Sequence, residues 1–102
     1  MVTLVVHHRV RAYDAWKPVF DEHQGVRRSH GQLEHRIYRS PGDPNGVVIH
    51  NDPPSGEAAR GFLGDPSLKD AMTRGGMIGE PGVGTAVLGE RKVYEGSAAG
   101  AW

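Results

Sequence analysis

Six histidines and no cysteine set the chemistry open to this chain of 102 residues. Imidazole titrates near pH ~6.5, so it can give or take a proton at neutral pH without any cofactor. In an apolar cleft it is a candidate general base or acid, provided a donor nearby holds the oxyanion that proton removal creates. His8, His23 and His50 are the candidate acid–base residues. Asn51, beside His50, is a fourth candidate catalytic residue because its amide can hold a substrate oxygen. Trp16, Phe20, Arg27, His35 and Tyr38 are the candidate substrate-binding residues, with Arg27 and Tyr38 as further donors. The missing cysteines exclude disulfides, thiolate nucleophiles and Cys-ligated zinc.

Other chemistries find no support. His7 and His8 point to opposite faces of a strand, and His23 and His30 lie two helical turns apart. No His-Glu-x-x-His is present, so no metal site is expected. Gly75-Gly76 and the run Gly79–Gly84 lack the lysine and Ser/Thr of a phosphate loop, and read as turns or a lid near a pocket mouth. Twelve basic residues balance twelve acidic ones, which excludes a general nucleic-acid or anionic-lipid surface. No apolar run approaches the ~20 residues of a membrane span. Met1 leads straight into Val2-Thr3-Leu4-Val5-Val6 without an export signal, so a cytoplasmic location is expected.

These residues need elements to position them. Val2–Val10 reads as a strand whose even positions form the more apolar face. A single helix is expected from Asp14, its N-cap, to Gly31, carrying Trp16, Phe20, His23, Arg27 and His30 on one face. Gln32–Ser40 and Val47–Asn51 read as a hairpin around a turn-rich 41–46 segment. Two short helices follow, one near Gly56–Leu63 and one opened by Asp65-Pro66 and ended by Gly75-Gly76. A fourth strand is expected over Thr85–Leu88 and onward to Tyr94, with 96–102 as a flexible C-terminal tail beyond a single domain of residues 1–95. The fold class is α+β: a ferredoxin-like split βαβ, β-α-β-β-α-β, with a four-stranded antiparallel sheet. Helices cover only one face of such a sheet, so the other invites a second copy.

In this order, Thr3-Leu4-Val5-Val6-His7-His8-Arg9-Val10, Tyr13–His23, Tyr38-Arg39-Ser40-Pro41 and Glu57–Lys69 resemble the dimeric α+β barrel superfamily. Within it, they are most similar to the antibiotic-biosynthesis-monooxygenase-like and small polyketide-cyclase-like branch. The resemblance covers residues 2–94 in layout. It implies a homodimer and a pocket between sheet and helices within each subunit. Its members include cofactor-free oxygenases of anthrones and quinols, polyketide cyclases, isomerases, haem-degrading enzymes and proteins of no known reaction. Two departures stand out. Phe62 occupies a second-helix region where the oxygenase branch often has a histidine, and the third strand runs out as His50-Asn51-Asp52-Pro53-Pro54. Asn51 nonetheless resembles the polar group with which some cofactor-free oxygenases hold a substrate oxygen.

The expected function is a cofactor-independent pocket enzyme of secondary metabolism, with cyclase-type acid–base chemistry on a hydrophobic, polyketide-like or aromatic enolisable small molecule. A cofactor-free monooxygenase of anthrones or quinols is the first alternative, and a non-catalytic ligand-binding homodimer with structural histidines is the second. Haem binding would require an accessible axial histidine. The bland roles are helix-end capping for His30, core packing for Trp16 and Phe20, and turn chemistry for Asp52.

Overall fold

The structure, a computed structural model, describes residues 2–94. At its centre is β1 (Val2–Val10), which pairs antiparallel on one side with β3 (Asp43–Asn51) and on the other with β4 (Met77–Val87). β2 (His35–Ser40) completes the sheet in the order β2-β3-β1-β4. This is the ferredoxin-like arrangement expected from the sequence, with each helical connection split in two.

The strand period of two does the sorting. Leu4, Val6, His8 and Val10 of β1 face the helices and are buried, while His7 and Arg9 are exposed on the other side. Leu4, Val6 and Val10 join Val47, Ile49, Trp16 and Phe62 in one apolar cluster, with Phe20, Ile37, Leu63, Leu68 and Met72 packed around it. Side chains therefore fill the centre of the sheet–helix interior, and the grooves described below open at its margins.

The long first helix is in fact two, α1 (Tyr13–Glu22) and α2 (Gln24–Ser29). His23 between them has ψ of 2°, outside the helical range, and its N–H bonds back to the Phe20 carbonyl at 3.2 Å. Asp14 lies in the first turn of α1 rather than capping it. The Tyr13 N–H is taken instead by Asn45 Oδ1 at 2.9 Å, which ties the helix start to the β2–β3 hairpin. The later helices follow their start signals. Ser55 caps α3 (Gly56–Leu63) by accepting from the Ala58 N–H at 3.0 Å, and Asp65 caps α4 (Pro66–Arg74) by accepting from the Ser67 N–H at 2.9 Å. Caps of this kind contribute about 1 kcal/mol each. Gly75 ends α4 against the indole of Trp16, where an added Cβ would lie only 2.9 Å from Trp16 Cδ1.

β4 begins eight residues earlier than expected and ends at Val87. The glycine-rich stretch is strand rather than turn or lid: Gly82 pairs with His7 and Gly84 with Val5. Glycines weaken the local strand signal, but pairing to the apolar β1 supplies the missing drive. Between Ile78, opposite Arg9, and Gly82, opposite His7, the strand bulges, so that Gly79, Glu80 and Pro81 stand against His8 alone. Gly79 has φ of 73°, a backbone conformation that favours glycine. The expected 96–102 tail lies outside the described residues. No described helix is long and apolar enough to cross a membrane.

Candidate functional site

Register decides which candidate residues meet. On the helix-facing side His8 lies opposite Val47, and Leu4 opposite Asn51, which in turn pairs with His35. Four residue steps along β3, from Val47 to Asn51, thus separate the His8 position from Asn51, roughly 13 Å of strand. An aromatic line crosses that span. His8 stands edge-on to Trp16 at 6.0 Å between centroids, Trp16 meets Phe20 at 4.9 Å, and Phe20 meets His35 edge-on at 5.0 Å. Arg27 stacks its guanidinium 3.7 Å over the other side of this line, on Phe20. His8, Trp16, Phe20, Arg27, His35 and Asn51 are therefore one elongated assembly, with its two polar ends held apart by Trp16 and Phe20.

Both polar ends hold buried atoms without partners. His8 is 4% exposed, and neither ring nitrogen makes a hydrogen bond. Asn51 Oδ1, Arg27 Nη2 and both amide atoms of Gln32 are likewise buried and unpaired. Burying such groups unsatisfied costs free energy, so in a folded protein they mark a place where water or a ligand completes the bonding. Burial, and secondarily His7, pushes the His8 pKa down, which keeps the imidazole neutral and able to accept a proton at physiological pH. His35 is also lowered, by burial first and then by Arg27 and Lys17.

His23 is placed differently. Its Nε2 lies 2.8 Å from Ser67 Oγ, and Ser67 Oγ–H donates to Asp65 Oδ1 at 2.7 Å. Because the serine proton is committed to the carboxylate, His23 Nε2–H must be the donor to Ser67. Asp65 also meets His30 Nε2 at 2.9 Å, and these bonds hold its carboxyl far below the usual range. The His23–Ser67–Asp65–His30 chain bolts α2 to the start of α4. His23 is lowered by burial and by Arg27, with Asp65 opposing.

His50 and Tyr38 do not join this assembly. Both lie on the bare face of the sheet, where their rings stack edge-on at 5.0 Å, because each is one residue out of phase with the helix-facing set. That face holds a depression of about 930 Å³ that includes Thr3, Val5, Arg36, His50, Asp52 and Ala86. Arg36 spans Asp52 there with two bonds, at 2.9 and 3.3 Å, and also engages Glu34. Hydrogen bonds from Arg36 and then Thr3 hold the Asp52 carboxyl low. Asp52 is thus an ion-pair anchor.

Among known proteins, no family model matches the sequence, and no curated relative matches it. Solved structures do. A mutant form of SnoaB from Streptomyces nogalater, a cofactor-independent oxygenase, is 20% identical, with a TM-score of 0.71 over 88% of this chain and 94% of that one. A monooxygenase from the gene ActVA-Orf6 of Streptomyces coelicolor, in complex with the ligand nanaomycin D, is 19% identical, with a TM-score of 0.68 over 92% of each chain. A third structure, of an antibiotic biosynthesis monooxygenase, is 12% identical, with a TM-score of 0.60 over 86% and 98%. The chain shares the fold of these structures. The resemblance read from its strands and helices is thus met at the level of architecture.

Within this shared fold, the structure adds residues that sequence reading passed over. A groove of about 400 Å³ runs between α4 and the β4 bulge, walled by Leu68, Met72, Met77, Pro81 and Val83, with Asp65 at its rim. Its volume lies in the range of small-molecule sites. The bulge that forms one wall is the segment opposite His8. The available signal was Gly79-Glu80-Pro81, a proline and a glycine inside a strand, the usual mark of a bulge. Gln32 was missed because a lone glutamine after a glycine reads as loop. Among the described residues, no group of three His, Cys, Asp or Glu side chains is arranged to hold a metal ion.

Proposed function

We propose that this chain is a cofactor-independent enzyme of secondary metabolism that acts by acid–base chemistry on an aromatic, enolisable small molecule, with oxygenation of an anthrone- or quinol-type substrate ahead of cyclisation. The observation that carries it is the His8 imidazole, buried, neutral and unpaired at both nitrogens, at the strand position across from the bulge that walls an apolar groove. The oxygenases named above share the fold and support this order of preference.

In this reading His8 removes a proton from the activated CH2 or phenol, and the resulting carbanion or phenolate delivers electrons to dioxygen. For an anthrone the balance closes without another reactant: the CH2 becomes C=O with one oxygen atom, and the second leaves as water with the two hydrogens. Dioxygen is reduced and the ring carbon oxidised. In a cyclase the same carbanion attacks a carbonyl carbon instead, and no oxygen is consumed. The Asn51 amide, at the opposite polar end of the aromatic line, is the candidate to hold a substrate oxygen. Entry requires the Trp16–Phe20 line to shift, since core side chains fill the centre.

The reading includes a homodimer formed through the bare sheet face. Val5, Val48, Tyr38 and Ile78 present apolar surface there, and β4 contributes Gly82, Gly84 and Ala86 on the same side, where a second sheet can approach closely.

The test is to incubate chelator-treated protein with anthrone, quinol and linear poly-β-ketone substrates while recording dissolved oxygen and product together. Oxygen uptake equal to product supports the oxygenase. Product without oxygen uptake supports the cyclase. No turnover across the panel contradicts both and leaves a binding protein.

A further inference from the structure

Arg27 is a buried guanidinium without a counter-charge. It is 4% exposed, its Nη2 has no hydrogen-bond partner, and among the described residues no carboxylate pairs with it. The acids within reach are engaged elsewhere. Asp21 is bound by Lys17 Nζ at 2.7 and 2.8 Å, and Glu34, on the rim, is engaged by Arg36. Burying an unpaired charge is among the most costly arrangements in a protein, and it persists where a ligand supplies the opposite charge.

The surroundings are shaped for one. A groove of about 270 Å³ opens beside Arg27 and is lined by Gln24, Arg28, Gln32, Leu33, Glu34 and His35. The Gln32 amide is buried with nitrogen and oxygen both unpaired. Leu33 is 77% exposed and offers an apolar wall. Phe20 fixes the guanidinium plane from below at 3.7 Å, which leaves its edge, the side that grips an oxyanion in a fork, to meet a ligand. Of the other basic groups, His35 is biased neutral by burial and by Arg27 itself, Lys17 is committed to Asp21, and Arg28, which also lines the groove, is exposed to solvent.

We infer that the Arg27–Gln32–Leu33 corner is a binding site for a monocarboxylate attached to an apolar body. One buried positive charge and one buried amide N–H match a planar monoanion, the exposed Arg28 being screened by solvent. The site lies at the end of the aromatic line away from His8. It binds its ligand whether or not the chain turns over, so its test reads binding alone.

The experiment is calorimetric titration at pH 7.5 with 2-naphthylacetate and with its neutral isostere 2-naphthylacetamide. The acid is expected to bind about 10- to 100-fold tighter than the amide, the factor that a charge-assisted hydrogen-bonded pair provides. Arg27→Gln should erase the difference, and Gln32→Ala should reduce it several-fold. Equal affinity for the two compounds, a preference that survives Arg27→Gln, or no binding of the acid at millimolar concentration each overturns the assignment. Tighter binding of 2-naphthyl phosphate than of the carboxylate also overturns it. If Arg27→Gln does not fold, Arg28→Gln decides: an acid preference that survives it supports Arg27, and one that vanishes overturns the assignment.

Discussion

The His8 ring stands edge-on to the Trp16 indole, 6.0 Å between centroids with 87° between planes, and neither imidazole nitrogen has a partner. A histidine retained only for structure would use at least one nitrogen in a hydrogen bond, as His23 and His30 do. His8 is therefore buried at a cost to stability with no hydrogen bond in return. Replacing it by leucine, close in volume and without polar atoms, should stabilise the fold by about 1–2 kcal/mol in denaturant melts. The same variant should lower turnover roughly 10²- to 10⁴-fold. A loss of stability together with full activity would return His8 to a packing role.

The pH dependence of stability follows from three lowered histidines, His8, His23 and His35. Each binds protons more weakly in the folded chain than in the unfolded one, whose histidines titrate near pH ~6.5. Their contribution is fully present above that pH and is lost as pH falls from it through the folded values, because the unfolded state then takes up more protons. Urea midpoints measured from pH 8 to pH 5 should fall steadily below pH ~7. His8→Leu should flatten part of that slope. An unchanged midpoint over the range would contradict the burial assigned to these rings.

Much of the scaffold was legible from local rules. The alternation of Val2–Val10 placed Leu4, Val6, His8 and Val10 toward the helices, and Asp65-Pro66 marked the start of α4. The break at His23 was not legible, because the apolar spacing from Trp16 to His30 continues through it and nothing in residue type announces ψ of 2°. β4 was hidden because Gly82 and Gly84 have no side chains to alternate, and only pairing to β1 shows them to be strand. His50 and Tyr38 were grouped with the pocket residues for their chemistry. Their parity sends them to the bare face, which only the register to β1 fixes. That Arg27 would be buried without an acid is a tertiary fact, since the sequence offers twelve acids and does not say which are occupied.

The Arg36–Asp52 pair should matter more than a surface ion pair. The Asp52 residue is 8% exposed and also accepts from Thr3 Oγ1 at 3.1 Å. Arg36→Met leaves its carboxylate buried with one weak donor, a loss of about 1–3 kcal/mol. For a domain of this size, each kcal/mol lowers the melting temperature by about 4–8 °C. A melting temperature unchanged within about 1 °C would mean that the pair is solvated like an ordinary surface bridge.

Association through the bare sheet face can be read from mass. The chain of 11.0 kDa should elute and scatter as a dimer of about 22 kDa, and Val48→Asp, which places a charge in the middle of that face, should yield the monomer. A natural chain that scatters as 11.0 kDa at tens of micromolar concentration would contradict the pairing.

The most direct test of the account is kcat/KM against pH, from pH 5 to pH 9, on the best anthrone or quinol substrate, for the natural chain and for His8→Leu. A neutral His8 base predicts a plateau around neutral pH and a tenfold fall per pH unit once the imidazole protonates on the acid side. The inflection should lie below the ordinary histidine value of ~6.5, as burial dictates. The leucine variant should be slow and without that inflection. A profile that keeps the same acidic limb in His8→Leu would show that another group removes the proton, and would contradict the central assignment.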